Sequence, residues 1–421
     1  MEKLLKDVLE RILPTEKEKH AIFTQVTRIE NIGREIMPEG VKIVLVGSLA
    51  KKTWLRASKD IDLFFLFEPG FDLEDTLPLL HKIADKLEGE RELLYAQHPY
   101  LHLHIQPEDE FYEVDLVPGY NVPPDQIISA VDRSPYHTEF VKANLASTDE
   151  ARLLKKFLKG IGCYGADMAF EGFSGYLCEL LVIKFGSFLG VLKAASGWKP
   201  PVKLEGLVEH SSKTQFRSAL VLRDPVDPER NVAAAVSRKM LNQFIRASKE
   251  FLEEPSEKFF FRESFPDIEL KERDEIITVK VEGDDVSKEI FVSQVRALMH
   301  SCVKSLNRYG FLVERYELFG DSFALILKNR TLPEEEIHQG PPCNMKSHCE
   351  KFKEKWPDAF EEKGKLKVRR KREFTDAKKF LKTFFSKNLP NHIKSVKIVE
   401  PKGDLRRRVA LFVENIPSWR Y

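Results

Sequence analysis

Two carboxylates, Asp60 and Asp62, stand two apart at the head of the apolar run Leu63-Phe64-Phe65-Leu66-Phe67. The run reads as a strand. Side chains two apart on a strand share a face, about 7 Å apart along it. Asp60 and Asp62 therefore project together, with Ile61 and Leu63 turned into the core. Neighbouring carboxylates repel unless a cation sits between them. Hard oxygen ligands at this spacing suit Mg²⁺, which takes one or two carboxylates plus substrate phosphates. A third carboxylate, Asp115, lies in the alternating stretch Phe111-Tyr112-Glu113-Val114-Asp115-Leu116-Val117, which reads as another strand. Upstream, Val41 to Val46 reads as a strand ending in Gly47-Ser48, with eleven residues between Ser48 and Asp60. A Gly-Ser turn offers backbone N–H groups and a hydroxyl to phosphates. These parts suit two-metal phosphoryl transfer, in which ions about 3.5–4 Å apart clamp the attacking and leaving oxygens.

Several elements must position these groups. Residues 1–32 read as a helix or helix pair, with Leu5, Leu9 and Ile12 at helical spacing. Asp72 to Leu87 reads as an amphipathic helix. Strands near Leu93–Ala96 and Tyr100–Ile105 complete a small mixed sheet that ends where Pro118, Gly119, Pro123 and Pro124 break regularity. A helical region follows. It contains a helix from Glu150 to Lys159, an apolar buried helix from Tyr176 to Leu192, and a helix from Asn231 to Leu252 with Asn231 as a possible cap. From about residue 257 the pattern becomes α+β. Strands are expected near Ile276–Val281, Phe311–Phe319 and Ser322–Leu327 around a helix from Val286 to Leu306, followed by a loop from Glu334 to Cys343. Helices near Lys346–Lys355 and Asp376–Ser386 and strands near Ile393–Val399 and Arg407–Val413 close the chain.

With 421 residues the chain is too long for one ordinary core, and three or more domains are expected. The longest apolar stretch is broken by Glu179 and Lys184, which argues against a membrane span. The first residues lack a signal-peptide pattern, and five Cys without framework spacing point to reduced thiols, so a cytoplasmic protein is expected. Cys343 and Cys349 near His338 and His348 lack zinc-finger spacing. The net charge is +1, yet residues 346–421 hold 22 Lys and Arg against 10 Asp and Glu, a surplus of +12 that leaves −11 elsewhere. Lys363 to Arg372 has seven basic residues in ten. A basic end on an acidic body is an electrostatic footprint for a polyanion.

The Gly-Ser turn, the Asp-x-Asp strand and the later strand Asp resemble the polymerase-beta-like nucleotidyltransferases. The resemblance sharpens to the archaeal-type, class I CCA-adding tRNA nucleotidyltransferases. It is carried further by Asp132-Arg133-Ser134-Pro135-Tyr136-His137, Arg152-Leu153-Leu154-Lys155, Tyr164-Gly165-Ala166, the block from Gly172 to Leu181, and Asp224-Pro225-Val226-Asp227-Pro228-Glu229-Arg230-Asn231. It implies an α+β multidomain chain in four parts. A nucleotidyltransferase head with a small mixed sheet spans 1–125, and a helical neck and central domain spans 126–256. An α+β body spans 257–345, and a basic tRNA-binding tail spans 346–421. It implies addition of C, C and A to the tRNA 3′ end from CTP and ATP, Mg²⁺ as cofactor, and a homodimer. Asp60, Asp62 and Asp115 resemble the metal ligands. Asp115 resembles the third carboxylate, which helps the primer 3′-hydroxyl lose its proton. Gly47, Ser48, Lys51, His137, Lys155 and Tyr164 resemble the nucleotide-binding set, with His98 near the phosphates and Arg230 reading the base. The family pattern leads to Arg at position 51. Lys51 is a point charge and not a fork. The block from Phe173 to Leu181 reads as packing rather than chemistry.

Two other classes share parts of this pattern. Another template-independent nucleotidyltransferase, such as a poly(A) polymerase, would keep the three carboxylates but need not use both CTP and ATP. A non-catalytic RNA-binding protein on the same scaffold would be expected to have lost a carboxylate, whereas Asp60, Asp62 and Asp115 are all present.

Overall fold

A computed structural model describes the chain except residues 96–97, 167–170, 210, 262–269, 271–272, 287, 418 and 420–421. The chain forms two compact units, Met1–Ser264 with Ser418–Tyr421, and Phe265–Pro417.

The first unit opens with helices α1 (Glu2–Ile12) and α2 (Glu16–Ile36). Thr15 separates them. Its hydroxyl accepts from Glu18 N–H, while the Glu18 carboxylate accepts from Thr15 N–H, so each satisfies an orphan donor at the start of α2. Next come β1 (Lys42–Leu45), the one-turn α3 (Gly47–Ala50), β2 (Asp60–Phe67), α4 (Leu77–Leu87), β3 (Glu90–Tyr95), β4 (Pro99–Ile105) and β5 (Tyr112–Tyr120). The sheet order is β1-β2-β5-β4-β3. Only β2 and β5 run parallel among its pairs. The core-facing residues Ile61, Leu63, Phe65 and Phe67 of β2 are buried, and α2 and α4 cover that face. The expected break at Pro118 and Gly119 does not occur. Both stay in β5, opposite Phe65 and Leu66.

The helical part of the unit holds α5 (Arg133–Asn144), α6 (Thr148–Gly160), α7 (Gly175–Phe185) and α8 (Phe188–Ser196), the short strands β6 (Val202–Lys203) and β7 (Leu220–Val221), and α9 (Arg238–Glu253). The apolar stretch from Tyr176 to Leu192 is two helices, not one. Gly186 takes φ +80° after α7, and Ser187 caps α8 by accepting from Gly190 N–H, so the axis turns by 87°. No single helix among the described residues is long and apolar enough to cross a membrane. Asn231 caps nothing. Its buried side chain ties the strand near Leu220 to the turn at Ala233, and Ser237 caps α9. Phe157, Phe188, Phe251, Phe259 and Phe260 form one aromatic core. Trp419 joins it by stacking on Phe259 and donating to Glu250.

The second unit comprises β8 (Ile276–Gly283), α10 (Lys288–Tyr309), β9 (Val313–Leu318), β10 (Ser322–Leu327), β11 (Glu335–Pro342), α11 (Lys346–Lys355), β12 (Phe360–Glu362), β13 (Lys365–Lys371), α12 (Ala377–Lys387), β14 (Ile393–Val399) and α13 (Gly403–Val413). Its two sheets run β14-β8-β10-β9 and β11-β13-β12. Two expectations change here. Glu334 to Cys343 is a strand rather than a loop, because β13 supplies its partner. Arg407 to Val413 is helical rather than extended, with Leu405, Val409 and Val413 one turn apart against the sheet. Both sheets pair strands from either side of residue 345. In the basic run, Arg370 and Arg372 pair with Glu336, while Lys365, Arg369 and Lys371 are exposed.

Candidate active site

Strand register brings the carboxylates together. Asp62 lies directly opposite Asp115 on the parallel neighbour, and Asp60 opposite Glu113. His102 on β4 faces Asp115 from the other side, with Nδ1 2.6 Å from Oδ1. All five line one cavity of about 380 Å³. Its other walls carry Gly47, Ser48, Lys51, Lys155, Tyr164, Gly175, Tyr176 and Glu179.

One side of the cavity is anionic. Burial and the neighbouring charges of Asp115 and Asp60 push the Asp62 carboxyl up to about 7. A cation placed among these groups would remove that conflict, so the donor set fits a hard divalent metal. The carboxylates are not already closed into a cage. Asp60 accepts from Ser58 and Asp115 is turned to His102, and no set of three ligating side chains is gathered for a metal among the described residues. Gly47 closes the site from above with φ +70°. A Cβ there would fall 1.8 Å from Asp62 Oδ2. The expected Gly-Ser turn is the first turn of α3, which follows β1 directly.

The opposite wall is cationic. Lys51 Nζ lies 2.6 Å from Glu179 Oε2, and Lys155 Nζ lies 2.7 Å from Glu179 Oε1. Thr53 donates to Glu179 Oε1 and accepts from Lys155. Burial holds the Lys155 pKa down against the attraction of Glu179. Burial would raise Glu179, but the two lysines outweigh it and the carboxylate stays ionised. The Phe173 to Leu181 block is therefore not packing alone. Glu179 was legible only as a lone acid in an apolar helix, where a buried charge requires a partner.

His137 and Arg230 do not line the cavity. They meet on Asp224, which is fully buried. Its Oδ2 lies 2.9 Å from His137 Nε2 and accepts from Arg230 Nη1 at 2.7 Å. Tyr176 Oη donates to Oδ1 and its ring stacks on His137, so this cluster reaches the cavity through Tyr176. Burial would raise Asp224, but the bonds from His137, Val226 N–H and Arg230 bring it to about 2. Burial lowers His137 below its ordinary value against the pull of Asp224, which its Nε2 faces. His98 is not brought to the cavity. It sits edge-on to Tyr120.

Three family models match in order along the chain: a nucleotidyltransferase domain over residues 26–137, the second domain of tRNA nucleotidyltransferase over 149–261, and the C-terminal domain of CCA-adding enzyme over 273–399. Relatives named CCA-adding enzyme are similar throughout. That of Saccharolobus islandicus is 34% identical over 424 residues, covering 98% of either chain. That of Pyrobaculum neutrophilum is 37% identical over 352 residues, covering 81% of this chain and 82% of its own. A solved Cid1 poly(U) polymerase is 16% identical with a TM-score of 0.47, covering 60% of this chain and 94% of its own, too distant to bear on the chemistry. Whole-length identity to the archaeal relatives, with the three domain models in order, places this chain in the CCA-adding enzyme family of tRNA nucleotidyltransferases.

Proposed function

We propose that the cavity in the first unit adds C, C and A to the 3′ end of tRNA from CTP and ATP without a template. The observation that carries this reading is one cavity with a carboxylate wall on β2 and β5 and a two-lysine wall opposite. Nucleotidyltransferases use divalent metals as a group, and we take Mg²⁺ as the ion. When bound it would neutralise the developing charge on the phosphoryl oxygens. Asp60, Asp62 and Asp115 would hold it. Asp115 takes the proton of the primer 3′-hydroxyl, oriented by His102. Ser48, Lys51 and Tyr164 bind the triphosphate, Lys155 adds its charge to that wall, and Gly47 leaves room for Asp62. The domain roles follow, with residues 1–125 the catalytic head and the basic segment 346–421 the tRNA contact. Duplex RNA is read by shape and phosphates, which suits the exposed Lys365, Arg369 and Lys371. A cytoplasmic homodimer completes the reading.

The test is a tRNA lacking its last three nucleotides, given nucleoside triphosphates singly and in pairs. CTP alone should extend it by two residues, and CTP with ATP by three. Long homopolymers of A would favour a poly(A) polymerase.

We assign Arg230 to base choice, held by Asp224 in the cluster that reaches the cavity through Tyr176. Cytosine and adenine present an amino donor beside a ring-nitrogen acceptor, whereas uracil and guanine present a carbonyl and an N–H. A guanidinium has donors only, so it can satisfy the ring nitrogen of both correct bases, while a phosphate or a carbonyl must receive their amino groups. The Arg230→Ala enzyme should use CTP and ATP less well and misincorporate UTP relatively more, read by sequencing the extended tRNA. An equal loss with every nucleotide would remove Arg230 from base choice.

A further inference from the structure

We propose that Glu179 is a positioning residue, which holds the Lys51 and Lys155 ammonium groups at the cavity wall for the triphosphate of the incoming nucleotide. The inference rests on the nucleotide-binding reading of those two lysines.

The geometry is specific. Glu179 has no exposed surface, and the side chains of Lys51 and Lys155 are only 8% and 3% exposed. Its two oxygens are divided between them, Oε2 to Lys51 and Oε1 to Lys155. Lys155 is locked. Besides Glu179, its ammonium donates to the Thr53 hydroxyl at 2.7 Å and the Thr53 carbonyl at 3.3 Å, which uses all three donors. Lys51 makes one such bond among the described residues, which leaves two donors for a ligand. Its ammonium also lies 5.5 Å from the centre of the Tyr176 ring.

The charges explain why a carboxylate is needed. Two ammonium groups sharing a buried wall repel each other. One carboxylate between two ammonium groups offsets their repulsion and leaves the wall net positive. That remaining charge faces the region that Asp62 and Asp115 border, where the phosphates of a nucleotide would meet both walls.

Two roles for Glu179 make opposite forecasts. If it only neutralised the lysines, its removal would leave a more positive wall and tighter nucleotide binding. If it positions them, its removal weakens binding. Glu179→Gln keeps the shape but replaces one acceptor oxygen by an N–H₂ group, which must face an ammonium. The full-length variant should show KM for both CTP and ATP raised at least about tenfold. Its kcat and its KM for the trimmed tRNA should stay within about threefold. This selective rise in nucleotide KM is the loss of binding shared by ground and transition states. A scaffold role alone would instead lower thermal stability without separating nucleotide KM from tRNA KM. An unchanged or lower nucleotide KM overturns the proposal.

Thr53→Val keeps every charge and removes only the hydroxyl linking Lys155 to Glu179. It should raise nucleotide KM by about threefold, and it decides the matter if Glu179→Gln does not fold. Unchanged nucleotide KM in a folded Thr53→Val enzyme then counts against positioning. Lys155→Met separates the layers. If it leaves nucleotide KM unchanged, the nucleotide-binding reading of the wall fails. If it raises KM while Glu179→Gln does not, only the positioning role of Glu179 fails.

Discussion

Asp62→Ala should abolish nucleotide addition while tRNA binding persists. Asp62 lies between Asp60 and Asp115 on the carboxylate wall, beneath Gly47. Loss of metal stabilisation of a phosphoryl transition state costs several kcal/mol. At about 1.4 kcal/mol per factor of ten, the rate falls on the order of 10³-fold or more. Asp60→Ala should behave alike. Single-turnover extension of trimmed tRNA measures the rate, and filter binding measures affinity. The fold should tolerate the Asp62 change, because the carboxylate is itself electrostatically unfavourable, its pKa pushed up to about 7 by burial and like charges. Turnover within about tenfold of the natural enzyme for both variants would place the metal site elsewhere.

Gly47→Ala should be nearly as damaging, although it removes no reactive group. Gly47 takes φ +70°, a region that costs an L-residue roughly 1–2 kcal/mol. The added methyl would also sit 1.8 Å from Asp62 Oδ2, so the carboxylate must move. Displacement of a reacting group by about 1 Å can cost on the order of 10² in rate. Gly40 provides the control. It also has positive φ, +91°, but nothing lies within 4 Å of where its Cβ would stand. Gly40→Ala should lose comparable stability in thermal melts while keeping its rate of addition. Equal activity in the two variants would show that Gly47 matters for backbone strain alone.

The carboxylate wall was legible in the sequence because strands alternate. Once Asp60 to Phe67 and Phe111 to Val117 read as strands, the shared face of Asp60 and Asp62 followed from period two. His102 and Glu113 could have been found by the same alternation. What the alternation lacks is register, and register puts Asp62 beside Asp115 and His102 beyond it. The cationic wall was less legible. Glu179 is 128 residues from Lys51 and 24 from Lys155, so no local spacing announces their meeting. The joint between α7 and α8 was hidden because apolar residues continue on both sides of Gly186, and only the backbone conformation turns the chain. In the second unit, Gly340, Pro341 and Pro342 suggested a loop, and only the partner strand β13 makes that segment extended. Tertiary pairing overrode local preference there.

The most direct measurement presents the trimmed tRNA with all four nucleoside triphosphates at equal concentration and weighs the product by intact mass spectrometry. The expected result is one terminal product, heavier by two cytidylates and one adenylate, that does not grow further and does not form with Asp62→Ala. A ladder of adenylates, incorporation of uridylate or guanylate, or the same product from the Asp62→Ala enzyme would contradict it.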